Sequence, residues 1–520
     1  MTRLKTAALA RTPARTRAII RDLRTKPFLL LGATTVLLFA GLLVYSETWA
    51  AAWDEGFHIL AAQLIRHGKK PYIDFLFPQT PLNAYWVAAW MRVFGESWRM
   101  VHALAATLTA GAILITGEYV LRRFPIPDWR FPAAMFTVLT LGLNMQIFQF
   151  GVIGQAYAFC LFSIVAAYRF AILAPDGRSA VWPALAGFAS ATAAAGSLLT
   201  APVAPVLLLW ILIRNQIGNR WWKGIAFLVG AVVPFLPVIW LFAESPRATR
   251  FNIFDYHFFY RQLDWEGAIP HDLDVVTAWV YSSPDFIVGL LAVAGLWFVV
   301  RRSGWERSLR WEFYLCAWLT VALALHISNA HPTFARYYLF AMPFIAIMAS
   351  AGLYITTARL YDATRPWAPI AVLTLLFLMG LGKTLYERRE SMNWVDFEQV
   401  AKKVDEVTPA HGSLLADEFV YFLTKREPPA GMELEDSHKL NNLDLKFAAA
   451  MHVLPRKEMD NEVRSGRFAT VETCDDDDER IESLHLTALY SNRVDVSGCA
   501  VYWNWVKPAA VSKTNPAPKK

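Results

Sequence analysis

Two adjacent acids, Asp54 and Glu55, are the residues of this 520-residue chain best placed to do chemistry, because they stand just beyond its first long apolar run, Pro27 to Tyr45. A carboxylate held against apolar surface binds its proton more tightly than in water, which suits a general base for a hydroxyl group. His58 follows Asp54 by one helical turn, so a helix here sets both on one face. Charge beside a membrane span is costly, which itself suggests a role. A second reading stays open: acids at the start of a helix satisfy its free N–H groups and favour its dipole. His58, taken alone, fits a packed helix residue as well as a reacting one.

The elements that must position these groups are read from composition. The chain is 55% hydrophobic and 18% charged, against about 25% charged in soluble domains. A bilayer crossing takes about 20 apolar residues. Candidate spans run over 27–45, 100–121, 131–148, 152–173, 181–197, 198–213, 224–243, 284–300, 311–328, 337–356 and 366–384. The expected fold is therefore mostly α: a polytopic helical membrane protein of about 11 transmembrane helices. The stretch 181–213, with Pro183, Pro202 and Pro205, is where that count is most open.

The first 26 residues carry eight Lys/Arg and one acid. The apolar run behind them is too long for a secretory signal, and SETWAAAWDE lacks a small-residue cleavage site, so the first span reads as uncleaved. Loops on the N-terminal side of the spans, with the tail, hold 21 Lys/Arg; the opposite loops 46–99, 244–283 and 329–336 hold nine. By the positive-inside rule the N-terminus is cytoplasmic, and those three loops face the exported side with everything after about Lys383.

Three parts follow: a basic cytoplasmic tail 1–26, a membrane body 27–384 and an exported soluble α/β domain 385–520. Residues 1–384 hold 32 basic and 19 acidic side chains, the remainder 18 and 24. The basic excess thus reports orientation and lends nucleic-acid binding little support. In loop 46–99 a helix is expected from about Trp53 to His67, ended by Gly68, with an amphipathic piece from Leu82 to Phe94 along the interface. Loop 244–283 mixes aromatics with Asp255, His257, Arg261 and Asp264. Further on, Trp394 to Val407 has helical spacing, while Ser413 to Ala416 and Ala500 to Val506 read as strands. Cys474 and Cys499 can form a disulfide if this part is exported; two unpaired thiols remain the alternative. Asp475 to Glu479 reads as a solvated turn, lacking the spacing and glycine of a calcium loop.

After the first span come Asp54-Glu55, a basic Arg66-His67-Gly68-Lys69-Lys70, then Pro71-Tyr72-x-Asp74-Phe75 and Pro78-x-x-Pro81-Leu82, with Tyr85. This order resembles the GT-C membrane glycosyltransferases. Within them it is most similar to the dolichyl-phosphate-mannose protein mannosyltransferase-like group, which includes bacterial enzymes that add aminoarabinose or galacturonic acid to lipid A and core oligosaccharide. The segment from His331 to Leu353 also resembles a late loop and span of these enzymes, so the likeness covers roughly 28–384.

The resemblance implies an inverting glycosyltransferase of the bacterial inner membrane. It would move a sugar from a polyprenyl-phosphate donor to a hydroxyl of a cell-envelope lipid, glycan or protein. Asp54 would accept the hydroxyl proton, with Glu55 its electrostatic or acceptor-binding neighbour, through an oxocarbenium-like transition state. The donor phosphate would sit on cations of the exported side: Arg336 and His331, or Arg66, Lys69 and Lys70, with Arg261 a further candidate. An arginine fork suits phosphate oxygens. The alternatives are a snorkelling anchor for Arg336 and a solvated pair for the lysines. His58, Tyr72, Asp74, Asp255, His257 and Arg261 would line or support the acceptor side.

No cofactor is expected. Some relatives need a divalent cation, and Asp54, Asp255, His257 and Asp264 are the available ligands, yet they form no compact motif. No P-loop or Rossmann glycine pattern is present, so a nucleotide-sugar donor lacks support. The rival class is a transporter or flippase of lipid-linked sugars. Such a protein places ionisable residues near the bilayer midplane and shows paired halves with broken helices, whereas the charges here cluster in exported loops. Neither the sugar nor the acceptor can be read from the residues.

Overall fold

Each apolar run becomes helix, although several are shorter than a straight bilayer crossing. The computed structural model describes residues 14–175, 178–214, 217–260, 268–301, 307–330, 332–434, 440, 443–474 and 484–507. Its principal helices are α1 (Ala14–Thr48), α2 (Glu55–Arg66), α3 (Leu82–Phe94), α4 (Trp98–Arg123), α5 (Arg130–Leu143), α6 (Tyr157–Leu173), α7 (Val181–Gly196) and α8 (Val203–Arg214). Then come α9 (Arg220–Glu244), α10 (Ser283–Arg301), α11 (Arg307–Ser328), α12 (Met342–Leu360) and α13 (Trp367–Glu387).

The chain is a multi-pass membrane protein. Among the described residues six helices are long and apolar enough to cross a bilayer, and a pair bent by 74°, Ile269–Val280 with Ser283–Val299, would make a seventh. Helices α5, α6, α7 and α8 have only 14, 17, 16 and 12 residues. The expected span over 131–148 is broken at Asn144, whose side chain caps the six-residue helix Met145–Phe150 through the N–H groups of Gln146 and Ile147. Residues 151–156 leave the helix altogether, so the following span starts at Tyr157 rather than 152.

Outward faces of α1 and α9 present Leu29, Val36 and Leu37, and Ile225, Val229 and Leu236, to the surroundings. Apolar surface on that scale belongs in lipid. Between helices the backbones approach closely. A Cβ on Gly187 of α7 would lie 1.9 Å from the Phe227 carbonyl of α9, and one on Gly230 would meet Ala184 at 2.0 Å. Small residues allow such contact where no hydrophobic force separates helix from lipid.

The two expected interfacial helices are present as α2 and α3, and each stops where glycine allows positive φ, Gly68 at +93° and Gly95 at +91°. Beyond α13 lie α14 (Trp394–Val407), α15 (Glu418–Thr424) and a four-stranded sheet. Its strands are β1 (Leu414–Leu415), β2 (Thr470–Cys474), β3 (Tyr490–Val496) and β4 (Cys499–Trp505), in the order β1-β2-β4-β3. The β1–β2 pair is parallel and the others antiparallel. The expected helix and both expected strands are therefore found; Asp475 to Glu479 lies outside the described residues.

This C-terminal part shares a core with the interfacial helices. Phe57, Leu60, Leu64 and Trp98 belong to one apolar cluster with Trp394, Phe397, Phe419 and Phe422. Trp98 stacks on Trp394 with centroids 5.4 Å apart. Polar ties reinforce the contact: Lys69 pairs with Glu427 at 2.8 Å, Trp98 donates to Glu398 at 2.8 Å, and His452 donates to the Ile73 carbonyl at 2.8 Å.

Cys474 and Cys499 form a disulfide between cross-strand partners of β2 and β4, closing a separation of 25 residues. A loop of that size is worth roughly 2–4 kcal/mol through the unfolded chain's lost freedom. Replacing both cysteines by serine should therefore shift the denaturant midpoint of the full-length protein in detergent downward. An unchanged midpoint would contradict this.

Candidate active site

Asp54 stands at the head of α2 with helical φ and ψ of −62° and −8°, and its side chain caps no backbone N–H. The carboxylate turns instead to Arg336, 282 residues away, in an ion pair with the Nη2 group. The capping reading of Asp54 is thereby excluded. Arg336 is held from behind: its Nε donates to the Tyr157 hydroxyl at 3.0 Å, and its guanidinium lies 4.2 Å from the centre of the Phe334 ring. Burial works against the guanidinium charge, but the Tyr157 oxygen and the Asp54 carboxylate keep its pKa above the usual arginine value.

The pair borders a cleft enclosing about 660 Å³ of empty space. Its walls come from four regions: Asp54, Phe57 and His58 of α2 and its start; Pro78 and Gln79; Gln155, Ala156 and Tyr157; and Tyr256 and His257, with Ser197, Leu199, Tyr337 and Leu434 completing it. Asp54 and His58 share one face, as helical spacing requires. His58 stacks on Phe57 at 4.3 Å and meets the edge-on ring of Phe77 at 5.7 Å. Burial pushes its pKa down to about 3, so the ring is neutral. Its Nδ1 has no hydrogen-bond partner among the described residues, and neither has the Gln155 side-chain nitrogen.

Supporting residues shape the wall without entering it. Tyr72, at φ +71°, donates its hydroxyl to the Gln79 carbonyl at 2.6 Å. Asp74 accepts from the Lys70 backbone N–H at 2.7 Å. Together they fold the 70–80 loop back so that Pro78 and Gln79 reach the cleft. His257 donates through Nε2 to the Pro78 carbonyl at 2.6 Å, tying the π-helical segment Phe251–Tyr260 to the same loop.

Glu55 does something else. Its side chain is fully buried, and its carboxylate accepts from three donors: His102 Nε2 at 2.7 Å, the Gly154 backbone N–H at 2.5 Å and Trp394 Nε1 at 3.0 Å. His102 in turn uses Nδ1 on the Ser46 carbonyl at 2.7 Å. That carbonyl can only accept, so Nδ1 carries a proton and Nε2 shares one with Glu55. A Cβ on residue 154 would fall 2.6 Å from Ile59 and 3.1 Å from Glu55 Oε1, which is why glycine is needed for this backbone approach. The expectation that Glu55 neighbours an acceptor is corrected on this ground: all its oxygens are spent inside the protein, outside the cleft.

The other expected cations are also engaged elsewhere. Arg66 pairs with Glu96, Lys69 with Glu427 and Lys70 with Glu244, and none of the three lines the cleft. Asp255 pairs with Arg250 at 3.2 Å. His331, Arg261 and Asp264 lie outside the described residues. The only described group close enough to bind a metal is Glu472 with Cys474 and Cys499, whose sulfurs are joined to each other.

Sequence reasoning missed Tyr157, Gln155, Gly154 and His102. Gln155 and Gly154 were hidden inside an apolar run taken as helix from 152. His102 carried a usable signal, being a lone imidazole at the start of an apolar span.

Together the helical body, interfacial helices and C-terminal α/β part define a GT-C-type fold. The chain superposes on ArnT from Cupriavidus metallidurans in the apo state with a TM-score of 0.66 and 13% identity, over 92% of this chain and 98% of that one. The ArnT structure bound to undecaprenyl phosphate matches with a TM-score of 0.62 and 15% identity, over 94% and 99%. At these identities the likeness is one of fold. No family model matches the sequence, and no curated protein matches it.

The two adjacent acids should respond differently to mutation. Glu55→Ala strands three buried donors and should cost about 3–5 kcal/mol, as breaking buried ion pairs does. Asp54→Asn, with the Asp54 side chain 41% exposed, should cost under about 1 kcal/mol because solvent screens the pair. Thermal melting of the full-length variants in detergent measures both; equal losses would contradict the division.

Proposed function

We propose that the protein is an inverting glycosyltransferase that moves a sugar from a polyprenyl phosphate to a hydroxyl acceptor at the exported face of a bacterial inner membrane. The observation that carries this reading is the Asp54–Arg336 pair at the edge of a cleft, braced by Tyr157. An acid and a cation so placed suit the two charges that glycosyl transfer generates. The acceptor oxygen forms a bond to the anomeric carbon as its proton passes to Asp54. The anomeric carbon–phosphate bond breaks with its electron pair going to the phosphate, which Arg336 neutralises.

Arg336 fits that role because Nε and Nη2 are committed to Tyr157 and Asp54, while Nη1 donates to none of the described residues. A guanidinium held in this way is already oriented, so stabilising the leaving group needs no reorganisation. The ArnT structure with undecaprenyl phosphate, a lipid phosphate of the class proposed as leaving group, supports the choice of donor. The Lys/Arg asymmetry and the Cys474–Cys499 disulfide support an exported cleft and C-terminal part.

Asp54→Asn keeps the shape of the side chain and removes the base. Loss of general base catalysis is worth roughly 10²–10⁴-fold in rate. Arg336→Gln removes the charge facing the leaving phosphate and should lower the rate by roughly 10²–10³-fold. Mass spectrometry of envelope glycolipids and glycoproteins from cells with and without the protein identifies the added sugar. Repeating it with each variant reads the loss; an Asp54→Asn protein that transfers at the normal rate would overturn the proposal.

A further inference from the structure

Two polar side chains in the cleft are left without partners. His58 is 8% exposed and Gln155 5%, yet His58 Nδ1 and the Gln155 side-chain nitrogen hydrogen-bond to none of the described residues. Buried polar groups are nearly always satisfied, and an exception calls for an explanation. Both line the same cleft as Asp54, and they come from elements set side by side by the Glu55–Gly154 hydrogen bond. A ligand that enters the cleft and supplies donors and acceptors accounts for both at once.

The chemistry of that ligand follows from what surrounds the pair. Counting histidines as neutral, Asp54 is the one charged residue among the cleft's described lining, and Arg336 already engages it. A neutral imidazole and a primary amide each offer both hydrogen-bond donation and acceptance without charge. Hydroxyl groups, which also give and take, are their natural complement. An ammonium would need a second carboxylate in the wall and a uronate a second cation, because a buried charge without a counter-charge is costly.

We propose that His58 and Gln155 form the subsite for the donor's sugar ring, and that this subsite takes a neutral hydroxyl-bearing sugar in preference to an amino sugar or a uronic acid. The inference rests on the glycosyl-transfer reading and names the substrate class of that same cleft. His58 is stiffened for the purpose by the aromatic rings of Phe57 and Phe77. Gln155 is fixed by its neighbour Gly154, whose backbone N–H is held by Glu55.

The test is calorimetric titration of the full-length protein in detergent. The probes are undecaprenyl phosphate alone and its conjugates with mannose, glucose, arabinose, aminoarabinose and galacturonic acid. At least one neutral conjugate should bind about tenfold tighter than the bare lipid phosphate, the yield of one or two satisfied hydrogen bonds. Both charged conjugates should gain nothing. Gln155→Leu and His58→Phe should each bring the ratio of conjugate to bare-lipid affinity toward one, and Gln155→Glu should turn the preference toward aminoarabinose. The comparison among probes needs only the unaltered protein, so a variant that fails to fold does not blunt it. If the aminoarabinose or galacturonic acid conjugate binds tighter than every neutral one, or no sugar adds affinity, the subsite assignment is wrong while a lipid-phosphate site stands. If none of these lipids binds, the glycosyl-transfer reading and this inference fall together.

Discussion

The Glu55 carboxylate, buried and satisfied by three donors, is the interaction on which the arrangement of the cleft depends. Its partners come from distant parts of the chain: His102 near the start of α4, Gly154 in the break before α6, and Trp394 at the head of α14. Ser46 at the end of α1 is drawn in through His102. One carboxylate thus fixes two transmembrane helices, the loop carrying Gln155 and the C-terminal part against α2. Removing it would leave several buried donors without acceptors, the costly side of hydrogen-bond energetics. Because α2 also carries His58 and follows directly on Asp54, pinning Glu55 pins them too.

Two consecutive acids therefore have opposite fates. Consecutive side chains on a helix point about 100° apart, so Asp54 and Glu55 cannot both face one cleft. Glu55 turns into the protein, where low dielectric strengthens each of its hydrogen bonds. Asp54 turns outward to Arg336, with a side chain 41% exposed, where it can exchange one partner for another. In the proposed reaction this separation lets a rigid anchor and a labile pair sit on adjacent residues.

Much of this was legible in the sequence. Apolar run length located the helical body, and turn and spacing signals gave α2, α3, α14 and two strands of the sheet nearly to the residue. Asp54 and Arg336 emerged from residue type and from resemblance, although nothing in the sequence joined one to the other across 282 positions. The burial of Glu55 was not legible, because its donors are an imidazole, an indole and a glycine backbone scattered along the chain. The short helices α5 to α8 escaped for a related reason: hydropathy marks apolar runs and is blind to a cap such as Asn144 that ends a helix inside one. The lysines behind α2 looked available for an anion because their partners, Glu427 and Glu244, lie far off in sequence.

The central claim is that the cleft beside Asp54 and Arg336 holds the lipid phosphate and its sugar. Electron cryo-microscopy of the full-length protein with an undecaprenyl-phosphate-linked sugar tests it most directly. The account predicts phosphate oxygens within hydrogen-bonding distance of the Arg336 guanidinium, the sugar ring against His58 and Gln155, and Glu55 unmoved among its three donors. A phosphate seated instead on Arg66, Lys69 or Lys70, with the Asp54–Arg336 pair untouched, would contradict it.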